Sequence, residues 1–386
     1  MLKMMKAYTN ATVLDGLGNT YERAVVLIDS EKIIGVGEHI SVPADADVID
    51  CEERFVTPGI IDVHTHLGVH ESGVGVEGQD FNETSQPLTP HIRALDAINP
   101  REQGFQDARE CGVTTVQVMP GSANVIGGEM VVLKTAGHVV DEMVIRNPSG
   151  MKGAFGENPK RVYSGKQVSP MTRMGVAALM RETFMKAQDY REKKARGEVK
   201  ERDLGMEQLL PVLERKIPLR THAHRADDIL TAIRISREFD IELTVEHCTE
   251  GHLIPEQVAA AGVHVSVGPT MSTRSKVELA DKGFHTLVAL DEHEVPVSIT
   301  TDHPVIGIEY LITSAVNAVK AGLSEETALR AITSQAARHI GVDDRVGSLE
   351  EGKDADLVVW TKHPFDAYTD VVETVVNGET VFRREM

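Results

Sequence analysis

At 386 residues, with 41% hydrophobic and 26% charged residues, the chain has the composition of a soluble globular protein and is too long for a single small sandwich. Forty Lys and Arg against 59 Asp and Glu give a formal charge of −19, which repels phosphate backbones and anionic lipid and argues against nucleic acid or a membrane surface as partner. No apolar run approaches the roughly 18 residues needed to cross a bilayer.

The opening Met1-Leu2-Lys3-Met4-Met5-Lys6 has neither an apolar h-region nor a cleavage site, so a cytoplasmic location is expected. Residues 7–14, 24–28 and 33–36 read as short strands, punctuated by Asp15-Gly16 and Gly18-Asn19, and make a small β-unit. From Thr57 onward, apolar runs of strand length alternate with segments of helical period, the pattern of parallel βα units. Strands are expected at 59–64, 113–118, 143–145, 151–157, 218–222, 241–247, 263–268 and 297–302, and eight such runs suit a closed barrel.

Between the first two strands Asn99, Pro100 and Glu102 form the cap, first position and capping box of a helix. Residues 121–128, with Gly127-Gly128, lack the Lys-Ser/Thr of a phosphate loop and read as a flexible loop over the site, so no nucleotide cofactor is expected. The stretch 189–203 is dense in Lys, Arg and Glu and reads as a solvated helix or excursion. After Ser324 a single helix is expected, with Leu329, Ile332, Ala336 and Ile340 at helical spacing and Gly341 beyond its end. Strand-like runs return at 356–360 and 371–376, and Asn377-Gly378 marks a hairpin turn before 379–382. The expected organisation is an α/β chain: a (β/α)8 TIM-type barrel over 57–345, and a β-domain formed by 1–56 together with 346–386. Cys51, Cys111 and Cys248 are odd in number and form no Cys-x-x-Cys pair, so neither a disulfide framework nor a thiolate zinc site is implied.

His64 and His66 directly follow an apolar run, and residues i and i+2 of a strand share a face. A lone His-x-His also occurs on surface strands. Here, however, His222, His247 and Asp302 also end expected strands, and in a barrel those carboxyl ends form the one face where active sites are built. Imidazole and carboxylate without thiolate suit Zn²⁺ first, with Mn²⁺, Fe²⁺ or Co²⁺ also compatible.

Val63-His64-Thr65-His66 after Thr57-Pro58-Gly59, Thr221-His222-Ala223-His224, Val245-Glu246-His247 and Thr300-Thr301-Asp302 resemble the metal motifs of the amidohydrolase superfamily, closest to its imidazolonepropionase-like branch. The tail from Val346 to Trp360 is similar to that superfamily's C-terminal signature. The resemblance covers nearly the whole chain. It implies a β-sandwich from the two chain ends packed beside the barrel. It also implies that Asp302 touches metal and takes the proton from a metal-activated water, with His247 beside it in the catalytic set. Carboxylates within reach of such a water accept its proton and later return it to a leaving nitrogen.

Many members of the superfamily hold two metals bridged by a carboxylated lysine of the fourth strand, and others hold one. Residues 150–159 offer Lys152 and Glu157, five positions apart and so on opposite faces of a regular strand. Glu157 stands at the carboxyl end, before the turn at Asn158-Pro159, and is the expected sixth ligand; a bulge would weaken that parity argument. His70 in the first long loop, His224, and the cations Lys160, Arg161 and Arg225 with Tyr163 are candidate contacts to a small-molecule substrate, arginine forks matching carboxylates. Asp227 and Asp228, in the first turn of a helix, read as structural. The expected reaction is hydrolysis of an amide or cyclic amide C–N bond. A metal-dependent deaminase, isomerase or decarboxylase on the same ligands is the alternative, and a non-catalytic binding protein is disfavoured because all five ligand types are retained. Oligomeric state is left open, a homodimer being the commonest assembly.

Overall fold

The computed structural model describes residues 5–385; residues 1–4, on which the expected lack of an export signal largely rests, lie outside it. Two eight-stranded sheets organise the chain. The first sheet opens the sequence with β1 (Lys6–Leu14), β2 (Thr20–Asp29), β3 (Lys32–Gly37), β4 (Asp47–Asp50) and β5 (Phe55–Pro58). The second follows as β6 (Ile60–Thr65), β7 (Val113–Val118), β8 (Ile126–Lys134), β9 (Val144–Ala154), β10 (Leu219–Ala223), β11 (Leu243–His247), β12 (His264–Val267) and β13 (Val297–Ile299). The chain then returns to the first sheet as β14 (Leu357–Trp360), β15 (Val371–Val376) and β16 (Glu379–Arg383).

β5 is the seam of the first sheet, with Val56 paired to Val13 of β1 on one side and to Val359 of β14 on the other. Tyr8, Val26, Val56, Leu357 and Val375 belong to its own buried core. The second sheet runs in sequence order from β6 to β13, and its two ends meet where the His66 N–H donates to the His303 carbonyl at 2.8 Å. The sheet is therefore barrel-like. β6 and β7 are buried at every position, as strands covered on both faces must be, so the polar side chains they carry, Asp62 and His64 among them, are held inside the protein. Among the described residues no helix is long and apolar enough to cross a membrane.

Four expectations of the fold need correction. The segment read as a flexible loop over the site supplies the start of β8, a nine-residue buried strand that runs antiparallel to both β7 and β9. Its glycine serves close packing: a Cβ at Gly128 would sit 2.6 Å from the Ile92 carbonyl oxygen. The short strand expected at 143–145 and the one at 151–157 merge into the single strand β9, so the count of eight is kept by exchanging one strand for another. Asn99 does not cap a helix, because its Oδ1 accepts from Arg101 N–H at 3.0 Å in a local turn and the helix begins at Gln103.

The helix after Ser324 is capped by that serine as expected but breaks into Glu325–Arg330 and Ser334–Ile340. The break has a use: the Ala331 carbonyl accepts from Ile299 N–H at 3.1 Å and the Ile332 carbonyl from Ile61 N–H at 2.8 Å. Backbone that would have closed a helical turn instead ties into β13 and β6.

Asp354 locks the two sheets together. It is 2% exposed and lies 2.8 Å from Lys32 Nζ, 3.1 Å from Lys134 Nζ at the end of β8, and 2.8 Å from Arg345. Burial alone would raise its carboxyl, but Lys134, Lys32 and Arg345 outweigh burial and hold it below its ordinary value. Lys134 keeps Asp356 at 2.5 Å and Lys32 and Arg345 reach solvent, so what is lost is charge-assisted hydrogen bonding to a buried group, and Asp354→Asn is expected to cost about 1–3 kcal/mol in denaturant unfolding at pH 7. A carboxyl lowered in the folded state stabilises fully above its unfolded value and loses that contribution as pH falls through its folded value. The gap between wild type and variant should accordingly shrink on acidification; a gap constant down to strongly acidic pH would contradict the account.

Candidate metal centre

Three of the site histidines are placed by a hydrogen bond that spends the Nδ1 proton. His64 Nδ1 donates to Glu246 Oε2 at 3.2 Å, His66 Nδ1 to the Met119 carbonyl at 2.8 Å, and His247 Nδ1 to the Gly268 carbonyl at 2.7 Å. Such partners fix the tautomer and leave Nε2 as a lone pair. Gly268 can present its carbonyl because it lacks a side chain: its φ is +151°, and a Cβ there would lie 2.0 Å from Thr300 O.

The freed lone pairs converge on a carboxylate. His64 Nε2 and His66 Nε2 stand 3.4 and 3.3 Å from Asp302 Oδ1, and ligand atoms of His64, His247 and Asp302 lie within 4.8 Å of one another. His222, His224 and His247 form a second such group that shares His247. Both ring nitrogens of His222 are buried without a hydrogen-bond partner among the described residues. Acceptors that face acceptors repel unless a cation sits between them, so this donor set fits a metal ion. Burial holds His64 down to about 3 and His247 to about 4, and it holds His222 and His224 well below the ordinary range, His247 adding to the effect at both. Neutral imidazoles are the ligand form. The backbone is strained at this point, with positive φ at His247, Cys248 and Asp302.

Buried carboxylates brace the ligands. Asp62 accepts from the Thr300 and Thr301 hydroxyls, both at 2.5 Å, and so fixes the chain that leads into Asp302; burial nevertheless pushes its carboxyl up to about 6. Glu246 accepts from His64, from His339 Nε2 at 3.2 Å and from Ser266 Oγ at 2.5 Å, with Arg220 3.8 Å away. Sequence reasoning missed both as functional residues. The signal was a charged side chain inside an apolar run, in Ile61-Asp62-Val63 and Val245-Glu246-His247, where charge persists only if paired.

The expected sixth ligand needs correction. β9 ends at Ala154, not at Glu157; Phe155 N–H donates to the His222 carbonyl at 2.9 Å, and Gly156 then turns the chain at φ +81°. Glu157 opens the helix Glu157–Gly165, its N–H donating to Glu278 Oε2 at 2.9 Å, and it joins neither of the groups around His247. Lys152, fully buried, places Nζ 3.3 Å from His64 Nε2 and 3.1 Å from Met119 Sδ. Burial pushes its amine down to about 8, against the pull of Asp302 and Glu246. The parity argument failed because it carried the strand three residues too far: Lys152 lies two residues from the true end, within reach of a long side chain.

A cavity of about 760 Å³ opens on this cluster, lined among others by His66, His70, His222, His224, Arg161 and Asp302. Three proposed substrate contacts are not brought there. Tyr163 is buried, its hydroxyl 2.6 Å from the Gln86 carbonyl oxygen and 2.5 Å from Asn124 Oδ1, with its one proton for the two acceptors; Arg225 is paired with Asp227 at 2.9 Å; Lys160 does not line the cavity. Asp228 is buried against Arg173 at 3.0 Å, the structural role expected of it. Glu278, also missed, is buried 3.9 Å from His222 Nε2 and 3.8 Å from His224 Nε2.

Residues 55–381 match the model of the amidohydrolase family. The amidohydrolase tasK of Hapsidospora irregularis is 28% identical over 95% of this chain, which spans 41% of that protein's length. The imidazolonepropionase of Rhizobium meliloti (strain 1021) is 24% identical, with 97% of this chain and 95% of that one aligned. Among solved structures, an amidohydrolase from Thermotoga maritima MSB8 superposes with a TM-score of 0.95 at 43% identity, covering 98% of this chain and all of that one. A prolidase complexed with N-methylphosphonate-L-proline shares the fold at a TM-score of 0.65 and 18% identity, over 99% of this chain and 100% of its own.

Proposed function

The chain belongs to the amidohydrolase family, and on that premise we propose that it is a metal-dependent hydrolase that cleaves an amide or cyclic amide C–N bond in a small, anionic substrate. The observation that carries this reading is the convergence of imidazole lone pairs, each made available by a spent Nδ1 proton, on the Asp302 carboxylate. His64, His66, His222, His247 and Asp302, with Lys152 in place of Glu157, would hold one or two divalent ions. Zn²⁺ suits the donor set best, and Mn²⁺, Fe²⁺ and Co²⁺ are compatible with it. When bound, such an ion lowers the pKa of a water towards about 7 and polarises the substrate carbonyl.

The chain's own groups do the rest. Burial alone would raise the Asp302 carboxyl, but His66, His64 and His247 hold it well below its ordinary range, so it is ionised and ready to accept a proton at Oδ and return it to the leaving nitrogen. The Arg161 guanidinium lines the cavity and makes no hydrogen bond or ion pair among the described residues, which suits it to a substrate carboxylate. Relatives named imidazolonepropionase support action on a cyclic amide. The proposal includes a (β/α)8-type barrel over 57–345, a β-sandwich from 1–56 and 346–386, and a cytoplasmic location.

Purified protein loaded with Zn²⁺ or Mn²⁺ and screened against dipeptides, N-acyl amino acids and cyclic amides that carry a carboxylate should release one new carboxylate and one amine per turnover. Ammonia without a new carboxylate would overturn hydrolysis in favour of deamination. On the substrate found, Arg161→Ala should raise KM by about 10–100-fold with kcat little changed, the loss of one charge-assisted contact made equally in ground and transition states.

A further inference from the structure

A third group of ligand atoms stands apart from those around His247 and shares no residue with them. His252, Asp281 and His285 each offer one atom, and the three lie within 4.8 Å of one another. His252 sits in the short turn Gly251–Leu253 after β11, and His285 opens the helix His285–Asp291. His252 Nε2 is 3.0 Å from Asp281 Oδ2 and 3.3 Å from His285 Nε2.

The tautomer of the neutral His252 ring follows from its other neighbour. Thr286 Oγ1 donates its single proton to the Thr249 carbonyl at 3.0 Å, so at 2.9 Å it accepts from His252 Nδ1. The neutral ring then turns an Nε2 lone pair toward a carboxylate oxygen and a second imidazole nitrogen. Two acceptors, that lone pair and the Asp281 oxygen, then face each other at 3.0 Å with a second imidazole nitrogen beside them, and something positive has to lie among them. At metal–nitrogen distances of about 2.0–2.1 Å a tetrahedral site has ligand–ligand edges of about 3.3 Å, close to both measured separations.

We propose that His252, Asp281 and His285 bind a divalent transition-metal ion, with Zn²⁺ favoured by two imidazoles and one carboxylate, at a site separate from the catalytic cluster. The ion clamps the segment after β11 to the start of the helix His285–Asp291. That segment carries Thr249, whose Oγ1 is 2.7 Å from His224 Nδ1, so the clamp steadies one wall of the substrate cavity. The ligands' exposure makes it a positioning site with water in its remaining coordination place.

The test is a metal count on the full-length, zinc-loaded protein after equilibration with Zn²⁺ and gel filtration. Asp281→Asn and His285→Ala should each carry one equivalent fewer than wild type. Asp281 is 58% exposed, so its amide variant should fold normally even if the histidine variant does not. Zinc should also raise the Tm of wild type more than that of Asp281→Asn. Equal counts in wild type and Asp281→Asn would overturn the proposal and leave a proton shared between His252 and Asp281 as the cation. The result is a difference between proteins with the same catalytic cluster, so it stands or falls independently of the hydrolase reading.

Discussion

Lys152→Met should lower kcat/KM by about 10³-fold or more and reduce bound metal by about one equivalent, whereas Glu157→Gln should keep both within about threefold. The contrast is large because the two residues differ in kind of surroundings. Lys152 is enclosed, faces His64 Nε2 at 3.3 Å, and has its amine pushed down to about 8, so the neutral form that can be modified or coordinate is accessible near neutral pH. Methionine keeps most of the volume and removes the nitrogen, so a folding defect is not expected to mimic the result. Glu157 sits in the first turn of a helix, partly exposed, where a carboxylate is favourable for reasons unrelated to metal. Steady-state kinetics with elemental analysis on both variants decides the matter, and a fully active Lys152→Met would remove this lysine from the ligand set.

Asp302→Asn is the second large effect, a fall in kcat of about 10²–10⁴-fold, the range for loss of a positioned general base. The amide is nearly isosteric and its oxygen still faces His64 and His66, so metal content should drop less than activity. It cannot take a proton from water or deliver one to a nitrogen. Measured kcat, KM and metal stoichiometry together separate loss of the base from loss of the ion. Wild-type turnover in Asp302→Asn would refute the assigned role.

The sequence made the candidate face legible because His64, His66, His222, His247 and Asp302 each stand at the end of a run of strand length, and the structure does bring these side chains together. β15 was read to the residue, and β10 and β11 within one or two residues at each end. What escaped was set by tertiary contact. Nothing in Gly127-Gly128 announces a strand until Ile92 is seen packed where a Cβ would be. Nothing in Leu329, Ile332 and Ala336 shows that the turn between them gives its carbonyls to β6 and β13. Tyr163 looks available in sequence, yet it is spent on Asn124, a partner that only folding brings near; Arg225 is spent on Asp227, a local partner two residues along. Lys152 was placed too far from the carboxyl end through an error of three residues in where a strand stops.

Glu246 divides one negative charge between His64 and His339. His339 belongs to the helix Ser334–Ile340 and does not line the cavity. A substitution that withdraws its imidazole leaves more of the carboxylate's field to His64, making that ring a stronger electron donor to whatever it binds. A helix that does not line the cavity thus reaches, through one shared carboxylate, the electron density on a site imidazole.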